Sequence, residues 1–406
     1  MVADQRERER VFLLLAVVVL FSFFHYLHDL AKIQGESSFI DFAHYYTYTK
    51  AVAVGVDPFD PQALAPVESA LHIRRAGAPA NYPPLFYLLM RPWVALPFGV
   101  AASVWFFASQ VCLLAALALC FRPFASASPV RVATLLFVVL NYQPVMESMA
   151  LGQSNLLLLF LMALAWWGLR TGSPWVTAGA IATAIHIKPQ YGILLLLLWW
   201  AGYRRAGARA AFLAIMGLVT GLIVVGPAQH LSYLRYVFSL PEHLLIWTAN
   251  ISPRATIHRL FEGLSQGATV ADALWLVFCA AILVVIAQAI PRTPPPGFSA
   301  IDWTWGIGLT AVLLLSPLTE EHHLVVLLLP VAFLLLHEPE APICPLEIGV
   351  LVGSLILLGS RYSLERFPAF HQGVLSLLAA GKLLGIFGLA CVLVSRLRLS
   401  VDQRTA

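Results

Sequence analysis

The chain returns again and again to apolar runs that hold almost no charge, and this pattern removes most folds from consideration. Twelve such segments can be drawn, at approximately 11–30, 99–121, 132–150, 154–170, 175–187, 189–203, 210–226, 271–290, 302–316, 323–337, 345–360 and 373–395. Charged residues make up 11% of the 406 and hydrophobic ones 60%, whereas a soluble domain carries roughly 25% charged residues. The expectation is an all-α polytopic membrane protein with about 12 transmembrane helices. It reads as a single integral membrane domain over residues 1–406. Met1 to Arg10 is charged and leads into an apolar run without a small-residue cleavage site, so Val11 to Leu30 reads as a retained first span.

Composition also narrows function. A net charge of +4 offers no basic face for nucleic acid. Cys112, Cys120, Cys279, Cys344 and Cys391 show no CxxC spacing, which argues against a disulfide framework or a zinc site. There is no P-loop, Rossmann glycine pattern, HExxH or GxSxG. Nucleotide-driven transport and serine hydrolysis therefore have no support.

The distribution of polar residues points to one face. The segments 175–187 and 189–203 are short enough to form a hairpin that stops within the bilayer, and 83–98, rich in proline and broken by Arg91, fits a helix lying at the interface. Both termini then share a side with Arg122, Arg131, Arg170, Arg204, Arg205, Arg209, Arg396 and Arg398. The short-loop bias makes that side cytoplasmic, although Glu338 and Glu340 run against it. The opposite face holds a long loop at 31–98 and a second at 227–270. It also holds the span ends with Gly152-Gln153-Ser154-Asn155, His186-Ile187-Lys188-Pro189 and Ser316-Pro317 through His322-His323. Polar and proline-bearing clusters at one end of a bundle fit a site at a membrane surface. A transporter is expected to place ionisable residues near the midplane, often in two related halves, and no internal repeat is seen.

Each cluster has competing readings. Asp41, just past the first span, is placed to act as a partly desolvated general base; Ser37, Ser38 or Asp41 could equally cap an amphipathic helix running through Val54. Tyr45, Tyr46 and Tyr48 also fit an interfacial aromatic belt. Asn81-Tyr82-Pro83-Pro84 reads as a rigid helix entry shaping a site wall. Gln153 and Asn155 offer donors and acceptors for sugar hydroxyls, or cap and pack a helix. Lys188 either binds phosphate or snorkels. His322 and His323, being adjacent, make a poor bidentate metal pair and suit hydrogen bonds to a phosphate or sugar, with solvated interfacial histidines as the alternative. In the second loop, aromatics such as Tyr233, Tyr236 and Trp247 can stack on a sugar, and Arg254 and Arg259 can pair with phosphate; a surface amphipathic helix would use the same residues.

Taken in order, these clusters resemble glycosyltransferase family 87. The residues that carry the resemblance are Asp41-Phe42 with Tyr45-Tyr46, Gly55-Val56-Asp57-Pro58-Phe59-Asp60, Tyr82-Pro83-Pro84, Gly152-Gln153-Ser154-Asn155, Ile187-Lys188-Pro189, and Ser316-Pro317 with His322-His323. Two departures stand out. Glu320 and Glu321 occupy positions where the family often has Trp then Asp, and Asn250-Ile251-Ser252 only loosely echoes its Asn-Gln-Ser. The resemblance implies a GT-C-type bundle with a catalytic first outer loop, working without a metal or other cofactor. It implies transfer of a hexose, most readily mannose, from a polyprenyl-phosphate donor to a lipid or glycan acceptor, with inversion. The active site would lie on the extracytoplasmic face of the cell (plasma or inner) membrane. Asp41 would be the base. Lys188, His322, His323, Arg254 and Arg259 would bind the donor phosphate, and Tyr45, Tyr82, Gln153, Asn155, Asn250 and Glu321 the sugar or acceptor. A lipid-linked sugar flippase and a ligase using a lipid-diphosphate donor are the rival readings; a non-catalytic assembly partner leaves the polar clustering unexplained.

Overall fold

The computed structural model describes residues 2–36, 39–73, 82–238, 242–293, 297–338, 344–361 and 367–405, and among them every element is helical. Ser37, Ser38, Asn81 and Glu340 lie outside the described residues. In chain order the helices are α1 (Val2–Glu36), α2 (Ile40–Ala53), α3 (Pro61–Leu71), α4 (Pro84–Leu89), α5 (Phe98–Phe121), α6 (Pro129–Leu140) and α7 (Gln143–Leu151). They continue as α8 (Asn155–Arg170), α9 (Pro174–Ile187), α10 (Ile193–Trp200), α11 (Arg204–Val224), α12 (Pro227–Phe238), α13 (Glu242–Ile246) and α14 (Pro253–Phe261). The last are α15 (Gly267–Ala289), α16 (Phe298–Leu315), α17 (Leu328–Leu336), α18 (Pro345–Gly359), α19 (Ser376–Ala379) and α20 (Gly381–Thr405).

The expected count of about 12 full spans is not met. Among the described residues five helices are long and apolar enough to cross a membrane, within α1, α5, α11, α15 and α20, and the bent pair α6–α7, turned by 41°, makes a sixth if counted as one span. The other apolar segments do form helices, but of 10–17 residues. At 1.5 Å per residue, the 16 residues of α8 reach roughly 24 Å, short of a hydrocarbon core of about 30 Å. Hydropathy alone does not separate a lipid-spanning helix from one buried in protein. Several short helices lie inside the bundle: α9 lies between α8 and α11, α8 packs on α5, and α16 packs on α20, whereas the short α18 exposes Leu346 and Ile356. Leu156, Leu159, Met162 and Trp166 of α8 are all 0–1% exposed. The long helices carry the exposed apolar surface, as at Leu14 and Phe21 of α1 or Val277 of α15. The segment 83–98 does not cross; it is the six-residue α4 followed by a 3₁₀ turn, Trp93–Ala95.

The two ends of the bundle differ chemically. At one end Asp302, fully buried in α16, accepts from Trp166 Nε1 at 2.6 Å and Arg170 at 2.7 Å and lies 2.5 Å from His337 Nε2. Arg131 donates to the His337 carbonyl at 3.1 Å. This network ties α6, α8, α16 and the end of α17 together, and removing one member leaves buried charge uncompensated. Asp302→Ala is expected to destabilise the fold by about 3–5 kcal/mol, read as a lower unfolding midpoint in detergent. An unchanged midpoint would mean the network holds nothing together.

The opposite end is where short helices stop. Gly152 ends α7, Lys188-Pro189 ends α9 and Ser316-Pro317 ends α16. Proline cannot continue a helix and drives the residue before it out of the α region. Lys188 and Ser316 accordingly have extended backbones. These breaks free polar residues at one level of the bundle.

Candidate active site

The first expected outer loop contains a helix that the protein has swallowed. In α2, Phe42, Tyr45, Tyr46 and Tyr48 are 0–4% exposed, which sets aside the aromatic belt; a helix buried on nearly all sides belongs in a core. Phe42 stacks on Trp105 with ring centroids 5.6 Å apart, and Tyr45 meets Tyr82 and Phe86 edge-on at 4.8 and 5.0 Å. Phe39 is the cap residue of α2, and no side chain caps the helix there. Asp41 lies inside the first turn and does not serve as the cap.

The carboxylate of Asp41 turns instead to the 152–155 segment. Gln153 Nε2 donates to Asp41 Oδ2 at 2.8 Å, and His44 Nδ1 lies 3.7 Å from Oδ1. Gln153 Oε1 in turn accepts from the hydroxyls of Tyr45 at 2.7 Å and Tyr82 at 3.0 Å, and those two hydroxyls are 2.6 Å apart. With its oxygen committed to two phenols, the amide has its nitrogen directed at Asp41. Gly152 makes this approach possible. It sits at φ +71, and a Cβ there would come within 2.7 Å of Phe42 Cβ. Trp105 Nε1 fixes the same turn by donating to the Gly152 carbonyl at 2.8 Å.

Two residues on, Asn155 Oδ1 accepts from Lys188 Nζ at 3.1 Å, and the ammonium lies 6.0 Å from the Tyr82 ring centroid. Lys188 is 7% exposed, so it is buried rather than snorkelling. Ser154 precedes α8 but makes no side-chain cap. The segment thus serves three contacts, to α2, Asp41 and Lys188, and helix capping is not one of them.

The third segment of the site is 316–323. Glu320 is extended, its amide donates to His323 Nδ1 at 3.1 Å, and its carboxylate lies 3.8 Å from His322 Nδ1. His322 is 1% exposed, and neither ring nitrogen has a hydrogen-bond partner among the described residues. Glu320, His322 and His323 each offer a ligand atom within 4.8 Å of the others. The donor set nevertheless fits a metal poorly. A neutral imidazole has one lone pair, and His323 spends its own on the Glu320 amide, leaving Nε2 with the proton. His323 is thereby a hydrogen-bond donor, a role suited to an anion.

Gln153, Tyr82, Lys188, Glu320, His322 and His323 share one cavity of about 250 Å³, with Tyr233 and Tyr236 of α12 on its wall. Asp41 stands directly behind Gln153, with 22% of its side-chain surface open. Burial raises its pKa to about 6, offset in part by the Gln153 hydrogen bond and the Lys188 charge. Burial also pulls Lys188 down and pushes Glu320 up, while the opposite charges of this pair restrain both shifts. Asp41, its pKa raised to about 6, thus stands behind the Gln153 wall of a cavity lined by a buried cation and two buried histidines.

Four expected site residues lie elsewhere. Arg254 pairs with Asp272 at 2.7 Å and stacks over Trp275. Arg259 donates to the carbonyls of Trp247 and Asn250, both at 2.9 Å. The Asn250 side chain pins backbone, bonding the carbonyls of Leu244 and Pro317 and the amides of Ser252 and Thr319. Glu321 pairs with Lys382 at 3.0 Å on the far side of its own backbone. Glu320, rather than the expected Glu321, faces the cavity with Lys188. Two adjacent glutamates carry no sequence signal that separates them; the extended backbone at Glu320, just before the 3₁₀ turn, turns it away from its neighbour.

The family model of glycosyltransferase family 87 matches residues 81–317, more than half of the chain. No curated relative and no solved structure shows significant similarity to it. The protein is a membrane glycosyltransferase, and the chain belongs to glycosyltransferase family 87. The matched stretch contains the 152–155 segment and Lys188; Asp41 and the 320–323 cluster lie outside it.

Proposed function

We propose that this protein transfers a hexose, most readily mannose, from a polyprenyl-phosphate donor to a hydroxyl of a lipid or glycan acceptor on the extracytoplasmic face. The observation that carries the reading is the hydrogen bond holding Asp41 on Gln153, beside the buried Lys188. Asp41 takes the proton of the acceptor hydroxyl as that oxygen attacks the anomeric carbon. The bond from that carbon to the phosphate oxygen breaks, and polyprenyl phosphate leaves with inversion. Charge develops on the departing phosphate, and Lys188 with the His323 N–H meets it in a site that water does not screen.

Two consequences follow from the electrostatics. The base works only when ionised, so kcat/KM should fall as pH drops through about 6. Gln153→Leu removes an interaction that lowers the Asp41 pKa, so the same limb should move to higher pH as well as lose amplitude. An acid limb unmoved by the substitution would detach Gln153 from the base. The reading as a whole is tested by offering purified protein polyprenyl-phosphate mannose, glucose and galactose with a mixed lipid acceptor extract. Transfer from at least one supports it. Transfer only from nucleotide sugars or from lipid diphosphates would overturn it.

A further inference from the structure

The cavity that holds Lys188 also holds a carboxyl group with no part yet in the reaction. Among the described residues Lys188 and Glu320 are the two charged groups in its lining, beside the titratable His322, His323, Tyr82, Tyr233 and Tyr236. Asp41 of α2 faces it from behind Gln153. Glu320 is held from both sides. Thr319 before it is pinned through its amide to Asn250 Oδ1 at 3.2 Å and through its hydroxyl to the Leu313 carbonyl at 3.0 Å. The Glu320 amide itself donates to His323 Nδ1. Lys188 gives its hydrogen bond to Asn155 rather than to Glu320. Glu321 turns into a separate cavity, of about 500 Å³, where it pairs with Lys382.

We propose that Glu320 is the general acid of the reaction, handing its proton to a phosphate oxygen of the departing polyprenyl phosphate. The proposal rests on the glycosyl-transfer reading given above and deepens it. The donor's phosphodiester carries one negative charge, and an ionised carboxylate in the same small cavity would repel it. Glu320 therefore meets the donor protonated, a state that burial and the Asp41 charge already favour against the pull of Lys188. The rest of the lining supplies no other acid. Burial and the Lys188 charge keep His322 and His323 neutral. Burial pushes the phenols of Tyr82, Tyr233 and Tyr236 up, and a proton taken from Lys188 would cost the site its cation. A phosphodiester has little affinity for a proton, whereas a phosphate monoester takes one with a pKa of about 6. The leaving group thus becomes basic only as the sugar departs, which is when a general acid acts. Asp41 takes the proton of the acceptor hydroxyl as that oxygen bonds to the anomeric carbon. The bond from this carbon to the phosphate oxygen breaks, its electron pair stays on the phosphate, and the Glu320 proton follows. Polyprenyl hydrogen phosphate leaves, Asp41 ends protonated and Glu320 ionised, and exchange with water resets both. Two carboxyls whose surroundings separate their protonation states are what acid–base catalysis at one pH requires.

The test follows kcat against pH with full-length protein in detergent and EDTA. The donor, at saturation, is whichever of polyprenyl-phosphate mannose, glucose or galactose the wild type turns over. Wild-type kcat should fall at both ends of the range, the alkaline limb marking loss of the Glu320 proton. Glu320→Gln keeps the shape but has no proton to give up. It should lower kcat at the optimum about 10²-fold and lose the alkaline limb. Glu320→Asp should keep the limb and run at least tenfold faster than the glutamine variant. Polyprenyl phosphate binding at the optimum, within a few-fold of wild type, should show both variants folded. An alkaline limb that persists in Glu320→Gln would belong to Lys188 and overturn the proposal. Turnover by that variant within threefold of wild type, or loss of its polyprenyl phosphate binding, would do the same. So would wild-type activity that EDTA abolishes and a divalent cation restores, because Glu320 would then be a ligand. A wild type that turns over none of the three sugars would instead overturn the glycosyl-transfer reading itself, so the two failures are distinguishable.

Discussion

Asp41→Asn is expected to lower transfer by about 10²–10⁴-fold, the range a general base contributes, while donor binding persists. Asparagine keeps the shape of the side chain and can still accept the hydrogen bond from Gln153 Nε2. What it loses is the ability to hold a proton. The packing of α2 rests on Phe42, Tyr45 and Tyr48 rather than on the carboxylate, so the variant should unfold near the wild-type temperature. Comparing turnover with polyprenyl phosphate binding separates chemistry from recognition. A variant within tenfold of wild type would remove Asp41 from the base role and turn attention to Glu320, the second carboxylate of the cluster.

The second large effect is expected at Lys188. Lys188→Met retains most of the stem and removes the charge proposed to face the leaving phosphate. Loss of one well-placed electrostatic stabiliser costs about 10²–10³ in kcat, and donor KM should rise with it. Arg254→Met supplies the contrast: its guanidinium is committed to Asp272, so transfer should stay within a few-fold of wild type. Equal losses in both variants would mean that charge near the membrane surface, rather than one buried ammonium, handles the phosphate.

These contrasts show what was legible in the sequence. Gly152-Gln153-Ser154-Asn155, Lys188-Pro189 and the stretch from Ser316 to His323 announce themselves as polar breaks between apolar runs, and the fold brings them to one level. Their partners were not legible. That Gln153 reaches Asp41 depends on Gly152 allowing α2 to close, a contact across more than a hundred residues. Glu320 and Glu321 are neighbours of identical chemistry, and only the backbone angle at Glu320 sends them into different cavities. Arg254 and Arg259 have the right chemistry for phosphate but are spent on Asp272 and on loop carbonyls. The number of full spans was unreadable for a different reason: leucine-rich helices such as α8 and α10 have the hydropathy of a membrane span and the length of a core helix.

Direct displacement at the anomeric carbon, with Asp41 as base and polyprenyl phosphate as leaving group, is the proposed reaction. The most direct test is a single turnover of purified protein with polyprenyl-phosphate mannose of known anomeric configuration and a lipid acceptor. Released polyprenyl phosphate and the anomer of the product would both be measured. The account predicts one polyprenyl phosphate per sugar transferred and an inverted anomeric centre. Retention of configuration, or a sugar trapped on Glu320, would contradict it, because either requires a carboxylate acting as nucleophile where a base has been assigned.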